Sequence, residues 1–159
     1  MRDHLTFLSW FCLMLAIGAG AFFAGYEGVP QLVLANPSAR WFALAVATLF
    51  VGVALWLGRQ AWHVDEINSK PWKSVSKAAA LAEYADASFG HLAIVLFPSI
   101  GLVGTVVGLS IGFRAGADTA GLMAGASTAF YSTGCGLVAM ILMMIMVWNL
   151  ETGIRRAGR

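Results

Sequence analysis

An all-α membrane protein with four transmembrane helices is the fold this sequence predicts, and three observations predict it. Hydrophobic residues make up 59% of the chain and charged residues 11%, where a water-soluble chain carries about 25% charged residues. Four stretches free of charge, residues 5–26, 41–58, 92–113 and 119–150, approach or exceed the roughly 20 apolar residues that cross a bilayer. Eight of the ten basic residues fall in alternate connections: Arg2 at the amino end, Arg59, Lys70, Lys73 and Lys77 within 59–91, and Arg155, Arg156 and Arg159 in the tail. Positive charge stays on the cytoplasmic side, so both chain ends and a short cytoplasmic loop, 59–91, are expected inside. Residues 1–159 form a single membrane domain.

The first stretch follows Arg2 and contains small residues around Ala19–Ala21, which gives it some likeness to a secretion signal. Its apolar run continues through Phe22, Phe23 and Ala24, which reads as a retained anchor. The second is near the short end for a span. Residues 27–40 carry Pro30 and Pro37 and read as an irregular outward connection. Within the cytoplasmic loop, Lys70-Pro71 is an interruption, and Ser74 is placed to cap a helix over 75–88 that runs on into the third span as one rod. A weak apolar stripe of Val75, Ala79, Ala82 and Phe89 marks that helix. The third and fourth spans are separated by the short turn 114–118 and form an antiparallel hairpin. The fourth is longer than a bilayer needs and tilts or projects into the cytoplasm. Trp10, Trp41, Trp56, Trp62 and Trp148 lie near segment ends, where indoles favour the headgroup region.

The third span carries the most specific pattern. Gly101, Thr105, Gly108 and Gly112 recur at intervals of four, three and four and form one narrow helical stripe. Ala126, Ala129, Thr133 and Gly136 do the same on the fourth span. Small residues let helix backbones approach closely, so Gly101, Gly104, Gly108, Gly112, Ala129 and Gly136 are read as packing positions, and Pro98 as a kink. The serines Ser110, Ser127 and Ser132, with Thr128, are expected to bond their own helix or glue helices together. Thr105 and Thr133 stand on the stripes, where a hydroxyl can bond an ion-carrying carboxylate or a water chain without bearing charge.

Several functions are excluded by what is missing. No charged residue lies in the middle of a span, so this chain holds no membrane acid to relay a proton. That also disfavours a small-molecule exporter. A net charge of +2, scattered along the chain, gives no nucleic-acid surface. His4, His63 and His91 lack metal-ligand spacing; no metal and no cofactor is expected. Asp65, Glu66, Glu83 and Asp86 read as solvated loop charges. Cys12 and Cys135 read as buried reduced thiols rather than a disulfide. Residues 101–105 lack the lysine of a nucleotide loop, and no nucleophile–base pair is present, so an enzyme is not expected.

Residues 98–109 (PSIGLVGTVVGL) and 125–137 (GASTAFYSTGCGL) together resemble the MotA/TolQ/ExbB proton-channel family. Gly101, Gly104, Thr105 and Gly108 fit its third-helix pattern. Ala129, Thr133, Gly136 and Leu137 fit the fourth, and Trp148-Asn149 is similar to its aromatic-Asn pair. The resemblance covers about residues 91–150. It implies a pentameric ring in the inner membrane around a dimer of a single-span partner of MotB, TolR or ExbD type. That partner supplies the aspartate that takes up the proton, or sodium as in some stators. Thr105 and Thr133 would face the aspartate, with the small-residue stripes letting ring helices approach the central pair. Proton motive force would thereby be turned into mechanical work. A non-conducting scaffold that keeps only the packing residues is the alternative. The chain departs from the family in three places. Its loop of about 30 residues is far shorter than the large domain of flagellar stator subunits, so flagellar torque is not expected. Met140-Ile-Leu stands where a proline often follows the second motif, and Phe130 and Tyr131 are bulkier than usual.

Overall fold

The computed structural model describes residues 5–26, 37–70, 79–81, 86–114 and 119–157. Four long helices run through them: α1 (Leu5–Tyr26), α2 (Pro37–Ser69), α3 (Ser88–Arg114) and α4 (Thr119–Ala157). Among the described residues there is no strand. The stretches over Arg40–Ser69, Ser88–Arg114 and Thr119–Arg156 are each long and apolar enough to cross a membrane. In α1, side chains are described over Thr6–Gly18, and that stretch is apolar too.

The helices alternate in direction. The start of α1 meets the end of α2 through Thr6 and Asp65, and the end of α4 through Thr6 and Asn149. The start of α3 meets the end of α4 through His91 and Glu151. These four helix ends share one end of the bundle. The apolar core concentrates toward it: Leu57, Ala61 and Val64 of α2, Ala93 and Phe97 of α3, and Met143, Met146, Val147 and Leu150 of α4. Phe50 leans on Phe97 with centroids 6.1 Å apart, and Trp56 on Phe89 at 5.2 Å. The outer surface carries large apolar side chains such as Leu55, Val106, Phe113 and Met123. That is the expected finish for a bundle facing lipid or another helix rather than water.

Three boundaries differ from the sequence expectation, each for a physical reason. Residues 37–40, expected in the irregular outward connection, form the first turn of α2, where the fixed backbone angle of Pro37 and its missing N–H suit a helix start. The second span was expected to end at Gly58, with a loop from residue 59, but α2 continues to Ser69. Residues 59–69 hold no helix breaker, and the Leu57, Ala61, Val64 and Ile67 series keeps one buried face. Charge ends a membrane span without ending a helix. The restriction that Pro71 places on Lys70 gives the stop. The continuous rod over 75–88 is not found. Residues 79–81 are helical, but Asp86 and Ala87 are not. The Asp86 carboxylate accepts from the Ser88 amide at 2.7 Å and the Ser88 hydroxyl at 2.7 Å, a cap that starts α3 afresh. Those bonds hold the Asp86 carboxyl below its ordinary range, the hydroxyl bond contributing most. Of the expected apolar stripe, Ala79 and Phe89 are exposed, while Val75 and Ala82, the Ser74 cap and His4 lie outside the described residues.

Asp65 is not a solvated loop charge. It is 2% exposed, and its carboxylate accepts from the Phe7 amide at 2.7 Å and the Thr6 amide at 3.3 Å. The first turn of a helix has amides without partners and a partial positive charge. Asp65 supplies the cap for α1 from a different helix. Asn149 completes the junction: its amide donates to Thr6 O at 3.2 Å, and its Oδ1 lies 2.7 Å from Ser9 Oγ. A Cβ on Gly153 would stand 2.5 Å from Thr6 Oγ1, so this position must be bare for the junction to close. Glu66, by contrast, is paired with Lys70 at 2.8 Å near the surface. The cysteines are free, but Cys12 is exposed and Cys135 half-buried rather than buried. Trp10 is also reassigned. It packs over Gly58 of α2, where a Cβ would stand 2.5 Å from its ring, and stacks on Phe7 at 5.5 Å.

Candidate functional site: a threonine pair beside a glycine seam

The site lies between α3 and α4. Gly101, Gly104, Gly108 and Gly112 are all buried, and their nearest neighbours belong to α4 of the same chain, with Phe42 of α2 also against Gly104. A Cβ on Gly101 would stand 3.1 Å from Ser132 O and Thr133 Cα; one on Gly108 would stand 2.6 Å from Ala129 N and 2.7 Å from Gly125 O. At Gly112 the nearest atoms, 3.8 Å away, are Cα atoms of Gly125 and Leu122 and a methyl of Leu122. Gly104 makes room for the Ser132 side chain. From the other side, Gly136 presses on the α3 backbone, where a Cβ would stand 2.5 Å from Phe97 O, and Ala129 is buried against Gly108. Helix–helix attraction in a membrane comes from close packing and backbone-level contact, which these positions provide. The glycine stripe is therefore filled by the chain's own fourth helix. The expectation that it opens toward a central partner is corrected to that extent.

Pro98 lies inside α3, beside the contact of Gly136 with Phe97. A proline has no N–H to give the carbonyl four residues earlier, here that of Ile94. Most other hydroxyls bond their own helix: Ser99 to Val95 O at 2.8 Å, Ser127 and Thr128 to Ala124 O at 2.9 Å each, and Ser132 to Ala129 O at 3.1 Å.

Thr105 and Thr133 are different. They stand at the edge of the seam, half-buried, and their hydroxyls hydrogen-bond each other across the two helices. Thr105 Oγ1 also lies 3.1 Å from Gly101 O, and Thr133 Oγ1 3.5 Å from the same carbonyl. Each hydroxyl has one donor and two acceptor lone pairs. With one hydroxyl donating to Gly101 O and the other to its neighbour, lone pairs remain open to the outside. Turning one O–H away from Gly101 offers a donor instead. The pair can accept from a protonated acid or donate to an ionised one, with no charge of its own.

The pair opens into a cleft of about 430 Å³ lined by Thr105, Ala129, Phe130, Thr133, Gly134 and Leu137. Its wall is apolar apart from the two hydroxyls, and Phe130 stands at its mouth, 83% exposed. Among the described residues no carboxylate lines it; Asp65 and Glu66 of α2 and Glu151 of α4 lie toward the end of the bundle that holds the start of α1.

A family model described as the MotA/TolQ/ExbB proton channel family matches residues 65–158, more than half of the chain. The chain belongs to this family. The match extends beyond the stretch that carried the resemblance and takes in Asp65, Pro98, both threonines and Asn149. No curated protein and no solved structure matches the chain. As a MotA/TolQ/ExbB family member with three long membrane-capable helices, it is a multi-pass membrane protein with a proton-channel-like role.

The sequence reading missed Asp65 and the junction around it. The pattern was present: Leu57, Ala61, Val64 and Ile67 keep helical spacing past the first charge, which puts Asp65 on or beside a buried face. Thr105 and Thr133 were paired by their motifs; what the fold adds is their direct hydrogen bond and the shared carbonyl.

Proposed function

We propose that this chain is the proton-channel subunit of an ion-driven motor in the inner membrane. In this reading it crosses the membrane four times with both ends in the cytoplasm. It forms a pentameric ring around a dimer of a single-span partner of MotB, TolR or ExbD type. The partner's aspartate carries the proton, or sodium where the partner selects it. The chain itself catalyses no covalent chemistry. The observation that carries the reading is the hydrogen-bonded Thr105–Thr133 pair at an otherwise apolar cleft. Such a site suits an acid that alternates between charged and neutral forms, and none is available within the spans of this chain.

The energetic scale separates this role from a packing role. An interhelical hydrogen bond in a membrane contributes about 0.6 kcal/mol on average, so the fold does not depend on it. Thr105→Val and Thr133→Val should therefore assemble normally and lose proton-dependent function. Normal function in both would exclude the assignment and favour the scaffold. Co-purification tests the assembly: a complex holding a short single-span chain with a mid-membrane aspartate is expected. A chain purified as a stable monomer would contradict both ring and scaffold.

A further inference from the structure

The hydroxyl pair accounts for the middle of the α3–α4 cleft but not for how a proton leaves it. From Thr133, the same face of α4 passes Leu137, Met140, Met144 and Trp148 and reaches Glu151. That is 18 residues, five turns at 3.6 residues per turn and about 27 Å. From Thr105, α3 runs back through Gly101, Pro98 and Ile94 to His91, 14 residues or about 21 Å, within about 40° of the same face. On each helix this is the first imidazole or carboxylate met in that direction, and the two meet each other. His91 Nε2 lies 2.9 Å from Glu151 Oε1. The pair is at the end of the bundle that holds the start of α1 and the end of α4, one turn beyond the exposed Trp148. Both side chains reach solvent.

We infer that His91 and Glu151 form the inner-end relay of the pathway, passing protons between the cleft and bulk water. This rests on the channel reading above. In the step, hydronium in water that fills the route from the cleft gives up a proton to the imidazole, its O–H bond breaking as the N–H bond forms, and the imidazolium is held by the Glu151 carboxylate. A water or buffer base then removes a ring proton and restores neutral imidazole. An O–H bond of the donor breaks as the N–H bond forms, an N–H bond then breaks as the acceptor gains the proton, and no electrons are exchanged. Among the described residues, the neighbouring charges leave the pair free for this. On α4, Arg155 stands 3.5 Å from the other oxygen of Glu151 and keeps the carboxylate oriented. Just before α3, Asp86 is engaged by Ser88. On α2, Asp65 caps α1, and Glu66 is paired with Lys70 and near His63 at 3.8 Å. A brace between helix ends would be a poor use of these residues, since an exposed ion pair contributes only about 0–1 kcal/mol.

The test uses inverted membrane vesicles from cells making the chain with its native partner, with proton flux read as the difference from vesicles lacking the chain. His91→Gln and Glu151→Gln should each lower flux about tenfold, less than the 10²–10⁴ of an enclosed transfer group because water competes as acceptor. Millimolar imidazole on the exposed cytoplasmic face should restore flux in both, with thermal stability unchanged. Wild-type flux in both variants would overturn the relay, and so would a loss that imidazole does not restore. Thr133→Val in the same vesicles separates the two readings. If it conducts normally, the channel assignment itself fails. If it is silent while the His91 and Glu151 variants conduct normally, the relay alone fails.

Discussion

Replacing Gly108 with alanine tests whether backbone contact between α3 and α4 sets the geometry of the site. The added Cβ would stand 2.6 Å from Ala129 N and 2.7 Å from Gly125 O, so restoring an ordinary 3.4 Å contact needs a local separation of about 0.8 Å. Both neighbours are backbone atoms and cannot swing aside. Overpacking of this kind costs about 1–3 kcal/mol, or a fall of about 2–12 °C in Tm for a chain of this size. The displacement also acts one turn away, where the Thr105–Thr133 hydrogen bond must span the widened gap. Gly52→Ala is the control, because nothing lies within 4 Å of its Cβ; alanine there favours the helix by about 1 kcal/mol. Thermal unfolding of the detergent-solubilised protein should show a lower Tm for Gly108→Ala and an unchanged or higher one for Gly52→Ala. Proton flux should fall in the first alone. Equal Tm and equal flux in the two variants would refute the seam as the element that positions the site.

Three further outcomes are expected. Asp65→Ala removes the cap from α1 and should cost about 0.5–2 kcal/mol; hydrogen exchange should accelerate in the first turn of α1 with little change in α3. Gly153→Val should push against Thr6 and undock the same helix end, read as increased accessibility of the Trp10 ring to a fluorescence quencher. The Asp86 carboxyl is lowered from its ordinary value of 3.8, so its contribution is present above that value and is lost as pH falls through the lower, folded-state value. Protection of the Ser88 amide, taken relative to its intrinsic exchange rate at each pH, should therefore fall as the pH drops below 3.8, and Asp86→Asn should remove that pH dependence.

Much of the helical layout could be read from the sequence because membrane spans announce themselves by the absence of charge. The same rule failed at Gly58, since α2 obeys helix chemistry rather than membrane chemistry once it leaves the apolar region. Residues 59–69 stay helical because nothing breaks them and their buried face continues. The failure placed Asp65 in a loop and hid its role as a cap for another helix, a contact 58 residues away in sequence from Phe7. The threonine pair was legible because each residue sits at a fixed offset from glycines that must face a helix. What the stripe faced was not legible. Spacing shows that a face is bare, not which helix fills it, and here the fourth helix fills most of it. The cleft beside the seam, not the seam itself, stays open.

The central claim is that the hydroxyl of Thr133 takes part in proton passage. Proton flux through the assembled complex, compared between Thr133→Ser and Thr133→Val, tests it most directly. Serine keeps the hydroxyl beside Thr105 and Gly101 O, while valine replaces it with a methyl of similar size. The account predicts that the serine variant retains substantial flux, that the valine variant has none, and that both assemble with the partner. Equal conduction by an assembled valine variant would contradict it.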